Sequence, residues 1–164
     1  FERAEISLDE FDAAFREESA AAGYPVPGSK VIELLAGDLR PEMVAALRRI
    51  RGHYRVACIT NNVKSGQGPS MHASAERAAE MAEVLGLFEA VFESSKIGWR
   101  KPDPRIYLHA CEQVGVAPEE VVYLDDLGIN LQPARELGMA TIKVGEPRQA
   151  LRELDELLDA VALV

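Results

Sequence analysis

Cysteine is nearly absent: the 164 residues contain two, Cys58 and Cys111. Neither belongs to a Cys-x-x-Cys pair or adjoins a histidine cluster, which excludes a zinc site of ordinary spacing. Cys58 lies in an apolar run and Cys111 on a helical pattern, so both read as small core residues. Positive charge is also in deficit. Lys and Arg number 18 against 27 Asp and Glu, a net charge of −9. A general nucleic-acid binder needs a basic face to displace counterions, and a protein docking on anionic lipid needs the same, so the partners expected exclude nucleic acid and membrane. No stretch approaches the roughly 18 apolar residues of a membrane helix. The opening Phe1-Glu2-Arg3-Ala4-Glu5 is charged and unlike a secretory signal, so a reducing, cytoplasmic setting is expected. The three histidines, His53, His72 and His109, lack ligand spacing and read as structural or solvent-facing.

What the chain does have is an ordinary globular balance, 48% hydrophobic and 27% charged, enough to bury a core. Ser7-Leu8-Asp9-Glu10 is a capping box, and Leu8, Phe11 and Phe15 follow at helical spacing, predicting a helix from about Ser7 to Ala22. Gly23 to Gly28 breaks it, and Val31 to Leu35 reads as a second helix. After Asp38 the pattern alternates. Helices are expected from Pro41, over Ala73–Leu85, from Asp103-Pro104, over Asn130–Leu137 and over Arg148–Leu158. Strands are expected over Tyr54–Thr60, Ala90–Ser94, Val121–Asp125 and Ala140–Val144. Alternation of this kind implies an α/β fold with a Rossmann-like parallel sheet. Residues 1–37 are helical only and read as a partial helical cap, and residues 38–164 as the α/β core. Lys64-Ser65-Gly66-Gln67-Gly68-Pro69-Ser70 reads as a mobile loop after a strand.

In an open parallel sheet, ligands bind beyond the carboxyl ends of the strands. One strand ends in Thr60-Asn61-Asn62, where a hydroxyl and successive backbone N–H groups can hold an anionic oxygen. Another ends in Asp125-Asp126. Adjacent carboxylates repel unless a cation neutralises them, and Mg²⁺ takes one or two carboxylates, completing its octahedron with water and phosphate oxygens. Between these segments Lys101 precedes Pro102, just ahead of a helix start, where its ammonium can face the same site and balance phosphate charge. Trp99 reads either as packing near the mouth of the site or as a stabilising core residue.

Three blocks carry a resemblance: Cys58-Ile59-Thr60-Asn61; Lys101-Pro102-Asp103-Pro104-Arg105-Ile106-Tyr107; and Val121-Val122-Tyr123-Leu124-Asp125-Asp126-Leu127-Gly128-Ile129-Asn130-Leu131, continuing through Pro133 to Met139. The chain resembles the haloacid-dehalogenase-like (HAD) hydrolase superfamily, and within it the group containing the N-terminal phosphatase domain of soluble epoxide hydrolase. The resemblance implies a Mg²⁺-dependent phosphatase acting on a small-molecule or lipid phosphate. It implies that Thr60 and Asn61 bind the phosphoryl oxygens and that Lys101 neutralises the phosphate and holds the nucleophile in place. Asp126 would ligate Mg²⁺, with Asp125 supporting it directly or from behind, and Asn130 would orient that shell. The helical cap would screen substrates, and its exposed face is a possible homodimer contact.

The family's first motif, an apolar strand ending Asp-x-Asp, has no counterpart here. Asp9 and Asp12 sit on a helix at the wrong spacing, and Asp38-Leu39-Arg40 lacks a preceding strand and a second Asp. In the family the first of those aspartates attacks phosphorus to form an aspartyl-phosphate, and its strand runs between the Thr60 and Asp125 strands. The sheet is therefore expected to split into two pairs with bare inner edges, and residues upstream of Phe1, or a second chain, are expected to fill the slot. On its own the 164-residue chain is expected to be inactive. Three alternatives stand beside this reading. One is a metal-independent dehalogenase of the same superfamily. Another is a non-catalytic binding domain, favoured if the chain truly starts at Phe1. The last is a phospho-receiver module, disfavoured because receivers present the acidic pair first and the Lys last.

Overall fold

The computed structural model describes residues 6–35, 38–62 and 75–162. The Lys64–Ser70 segment, His72 and the first residues of the helix expected from Ala73 lie outside the described residues. Two helices come first, α1 (Leu8–Ala21) and α2 (Gly28–Leu35). The expected capping box starts α1: the Ser7 amide donates to the Glu10 carboxylate at 2.7 Å, and the Glu10 amide donates to Ser7 Oγ at 3.2 Å. The two helices are tied by the Ser29 amide, which donates to Asp12 at 2.8 Å. Gly28 sits so close to Phe11 and the Asp12 backbone that a Cβ there would lie 2.9 Å from both.

The alternating part follows as α3 (Pro41–Ile50), β1 (Ala57–Thr60), α4 (Ala75–Leu85), β2 (Ala90–Glu93), α5 (Ser94–Ile97), α6 (Pro104–Val114), β3 (Val122–Asp125), α7 (Gly128–Glu136), β4 (Ala140–Lys143) and α8 (Pro147–Ala162). A single 3₁₀ turn, Pro118–Glu120, leads into β3. The fold class is as expected, α/β with parallel pairing. Two details differ. The strands are shorter than their apolar runs, and Ser94, expected to end a strand, starts the short α5. Its hydroxyl and that of Ser95 are drawn into bonds with Asn62, which turns the chain out of the sheet.

The strands form two separate parallel pairs, β1 with β2 and β3 with β4. Ala57 registers with Ala90 and Thr60 with Glu93; Val122 registers with Ala140 and Asp125 with Lys143. Among the described residues β1 pairs with no strand but β2, and β3 with none but β4. Among the described residues each pair thus leaves both of its outer edges unpaired, β1 and β3 included, the split expected above.

Helices cover both faces. Alternation along β3 sends Tyr123 toward α6 and α7, where it joins Ile106, Tyr107, Cys111, Ala134 and Met139, and sends Val122 and Leu124 toward α8, against Ile142, Ala150 and Leu154. Ile59 of β1 packs on the same Ile106–Tyr107 cluster as Tyr123 of β3, so α6 spans the two pairs on one face. On the other face Ile50 of α3 packs with the α8 cluster, and Arg49 pairs with Asp155 at 2.5 Å. Asp103 caps α6 by accepting the Arg105 amide at 3.0 Å, and Pro104 follows at a position needing no N–H. Cys111 is buried in the core as expected, and Cys58 is half-buried. Among the described residues, no helix is long and apolar enough to cross a membrane.

Candidate functional site

The carboxyl ends of β1 and β3 are joined by one residue, Lys101. It sits in the turn before α6 and is held from both sides. On the β1 side, the Asn61 carboxamide pairs with the Lys101 backbone: the Lys101 amide donates to Asn61 Oδ1 at 2.9 Å, and Asn61 Nδ2 donates to the Lys101 carbonyl at 3.1 Å. On the β3 side, the Lys101 ammonium donates to Asp125 Oδ2 at 2.8 Å. The ammonium-bearing side chain is 14% exposed and that of Asp125 is 4% exposed, so this is a largely buried ion pair.

Asp125 is saturated with donors. Oδ2 also accepts the Tyr123 hydroxyl at 2.8 Å, while Oδ1 accepts the Leu127 amide and Asn130 Nδ2, each at 2.9 Å. The Leu127 bond explains why α7 begins at Gly128, earlier than its apolar pattern suggests: the carboxylate holds an amide of the incoming turn. Asn130 is itself buried, and its carbonyl accepts the Tyr107 hydroxyl at 2.8 Å. Burial alone would raise the Asp125 carboxyl, but Lys101, the Leu127 amide and Asn130 hold it below the ordinary carboxylate value. Burial together with Asp125 pushes the Tyr123 hydroxyl strongly up, and burial pushes Tyr107 up to about 12, so both remain proton donors at any working pH.

Asp126 behaves differently. It is exposed and bonds to no other described residue. Asp125 is the last residue of β3 and Asp126 stands in the bend that follows, so the chain leaves the sheet between them: Asp125 is buried among protein donors and Asp126 is exposed. The repulsion expected within the pair is therefore relieved by Lys101 on the Asp125 side, and the Asp126 carboxylate is the one without a partner among the described residues. Asp125, with two donors on each oxygen, has no free acceptor position.

The Thr60 hydroxyl likewise bonds to no described residue. The Asn62 amide, expected as one of the successive anion donors, is taken up by Ser94 Oγ at 3.0 Å. The Asn62 carboxamide is engaged as well, donating to Glu93 at 2.6 Å and accepting the Ser95 hydroxyl at 3.0 Å. These bonds hold Asn62 against the end of β2 and the start of α5, so its amide is not open to an anion, whereas the Thr60 hydroxyl has no described partner. Burial pushes the Cys58 thiol up, against the pull of Lys101, which favours the thiol over the thiolate. Trp99 packs on the Ile106 cluster, edge-on to His109 at 6.0 Å, with the Arg105 guanidinium 5.2 Å over its ring. Of its two readings, this is the core one.

The structure thus brings Thr60, Asn61, Lys101, Asp125, Asp126 and Asn130 to one end of the strands. Sequence reading gave no role to Tyr123, taken as one apolar residue of a strand. The available signal was a Tyr two positions before an Asp, on the same face of the strand. Among the described residues no group of three or more His, Cys, Asp or Glu side chains is arranged to hold a metal. The site offers one open carboxylate, which suits an ion that takes few protein ligands and keeps water and phosphate oxygens, as Mg²⁺ does.

A family model described as haloacid dehalogenase-like hydrolase matches residues 3–138. The mouse "Bifunctional epoxide hydrolase 2" is 32% identical over 153 residues, covering 89% of this chain and 27% of that protein. The chain therefore spans about a quarter of that relative's length. The "Sesquiterpene phosphatase astK" of Aspergillus oryzae is 27% identical over 163 residues, covering 96% of this chain and 77% of that protein. A HAD-family enzyme of Bacteroides thetaiotaomicron, in complex with magnesium and inorganic phosphate, superposes with a TM-score of 0.62 at 25% identity, over 88% of this chain and 73% of that one.

Proposed function

We propose that this chain, which belongs to the haloacid dehalogenase-like hydrolase family, forms the phosphate- and metal-binding part of a Mg²⁺-dependent phosphohydrolase acting on a small-molecule or lipid phosphate. The observation that carries the reading is the pinning of Lys101. Asn61 fixes its backbone and Asp125 its ammonium, between the carboxyl ends of β1 and β3, next to an unpartnered Thr60 hydroxyl and an unpartnered Asp126 carboxylate. Phosphoryl transfer requires charge neutralisation and positioning above all, and these groups supply both. The names of phosphatase relatives support the same class.

In this reading Lys101 and the Thr60 hydroxyl bind the phosphoryl oxygens, and Asn61 contributes by holding Lys101. Asp126 holds Mg²⁺, and Asp125 and Asn130 fix the turn that carries it. When bound, the ion neutralises charge on the phosphoryl oxygens. No described residue is placed to attack phosphorus. The nucleophilic Asp is therefore assigned to a further strand, seated against the free edges of β1 and β3, where its carboxyl end lies beside Lys101. Its oxygen forms the new bond to phosphorus as the ester oxygen leaves, and water then cleaves the aspartyl-phosphate. Residues 1–37 belong to a helical cap that screens substrates, residues 38–164 to the core, and the enzyme works in the cytoplasm.

The test is hydrolysis of p-nitrophenyl phosphate by the full-length protein, with Mg²⁺ and after its removal by chelation. Activity that needs Mg²⁺ and falls by orders of magnitude in Lys101→Ala supports the reading. Near-wild-type turnover in that variant overturns the site. Cleavage of 2-haloacids that survives chelation selects the dehalogenase chemistry instead.

A further inference from the structure

We propose that Tyr123 is a positioning residue for Lys101: its hydroxyl occupies one of the two hydrogen-bonding positions on Asp125 Oδ2 and so dictates where the ammonium sits. The inference rests on the reading of Lys101 as a phosphate-binding group and adds to it the device that aims that group. A carboxylate oxygen has roughly two lone-pair directions. On Oδ1 both are filled, by the Leu127 amide and Asn130 Nδ2. On Oδ2 one is filled by Tyr123 and the other by Lys101, both at 2.8 Å. The carboxylate cannot rotate without breaking bonds at Oδ1, so Lys101 has a single position at which it can meet the charge.

Without the Tyr123 hydroxyl a second position opens on Oδ2. A lysine head is a flexible point charge with no directional preference of its own, so it distributes over whatever acceptor positions it is offered. The ring also serves this end. Tyr123 lies edge-on to Tyr107, 5.2 Å between ring centroids, and packs in the cluster that α6 builds across the two strand pairs. Lys101 precedes that same helix. The hydroxyl is therefore referenced to the element that carries the lysine backbone, which makes the distance between them a fixed property of the fold. A tyrosine that merely satisfied its own buried hydroxyl would need an acceptor, but not the one oxygen that Lys101 also uses.

The experiment uses the full-length protein and Tyr123→Phe, which keeps the ring packing against Tyr107 and removes one oxygen. Two quantities are read: the affinity for inorganic phosphate in the presence of Mg²⁺, by calorimetry, and the order parameter of the Lys101 side chain at Cε, by NMR, assigned by its disappearance in Lys101→Arg. The expected result is a roughly fivefold weaker phosphate affinity, the equivalent of one modest hydrogen bond, together with a lower Lys101 order parameter. A purely structural tyrosine would lower the thermal midpoint and move neither quantity, and that result overturns the proposal. Wild-type protein that binds no phosphate overturns the phosphohydrolase reading itself. Wild-type binding that is lost in Lys101→Ala but unchanged in Tyr123→Phe leaves that reading standing and removes only Tyr123.

Discussion

Asp125→Asn isolates the central contact of the site, because it changes two atoms' chemistry and no volume. Asp125 accepts four hydrogen bonds, two on each oxygen. An amide has one oxygen and one NH₂, so whichever way it turns, a donor faces two donors. Two bonds to a buried group are lost, each worth about 1.5 kcal/mol where charge is involved. The Lys101 ammonium is one of the four donors and loses its ion-pair partner in the same change, so the two costs overlap rather than add. Breaking a buried pair costs about 3–5 kcal/mol, and the 14% exposure of the Lys101 side chain lets the ammonium reach some water, which places the cost at the low end. The expected loss is about 3 kcal/mol. With an m-value of about 2 kcal/mol/M in urea, the midpoint falls by about 1.5 M. Trp99, the sole tryptophan, reports it by fluorescence, since it packs on the core cluster beside this site. A loss below about 1 kcal/mol would refute the picture of a fully satisfied buried carboxylate.

Asp126→Asn, by contrast, should leave the urea midpoint within about 0.5 kcal/mol of wild type, as surface changes do, while abolishing the Mg²⁺ dependence of phosphate binding measured by calorimetry. Asn61→Ala removes both bonds to the Lys101 backbone and should cost about 1–2 kcal/mol in the same urea experiment, with a raised KM for p-nitrophenyl phosphate as Lys101 drifts. The α1–α2 pair should loosen in acid. The Ser7 amide and hydroxyl hold the Glu10 carboxyl below its ordinary value, and Ser29, then Arg16, do the same for Asp12. Folded values below unfolded ones mean the stabilisation is present above the ordinary carboxylate range and is lost as pH falls through the folded values. Amide exchange over Leu8–Ala21, corrected for intrinsic rates, should therefore be less protected at a pH below the ordinary carboxylate range than above it.

The fold was legible in the sequence wherever local chemistry decides it. The Ser7–Glu10 capping box, Pro41 and Asp103-Pro104 fix helix starts by bonds made within a few residues, and each helix starts where these signals put it. The division of the sheet was legible only through the family resemblance, which implies a further strand between the Thr60 and Asp125 strands, and the described strands do form two separate pairs. Strand lengths were not. Tyr54, Arg55 and Val56 continue the apolar-aromatic run of β1, but a strand ends where its partner's backbone ends, and nothing local marks that. The placement of the candidate residues at the carboxyl ends of the strands was legible, while their mutual bonds were not. Thr60, Asn61, Lys101, Asp125, Asp126 and Asn130 lie at that end of the sheet, yet Asn61 bonds to the Lys101 backbone and Asn62 to Ser94 and Glu93. Those are bonds across 30 to 40 residues of chain, set by the approach of one loop to another rather than by spacing.

The two adjacent aspartates show what such long-range contacts add. As letters they are equivalent, and repulsion between them argues for a cation without saying which carboxylate would meet it. In the fold they are not equivalent, because Asp125 ends β3 and is buried while Asp126 stands in the bend beyond it and is exposed. The inward one is met by Lys101 from α6's leading turn, Tyr123 from its own strand and Asn130 from the following helix, and it becomes part of the protein's frame. The outward one has no partner among the described residues. In the proposed reading the electrostatic cost of the pair is divided between folding and binding: Lys101 meets the charge of Asp125 within the fold, and that of Asp126 is met only when a cation binds. A site built this way is intact before the metal binds, so removing Mg²⁺ should silence the chemistry while leaving the urea midpoint nearly unchanged. A midpoint that instead fell on chelation by more than the about 1 kcal/mol of an ordinary hydrogen bond would mean that Asp125, too, depends on the ion.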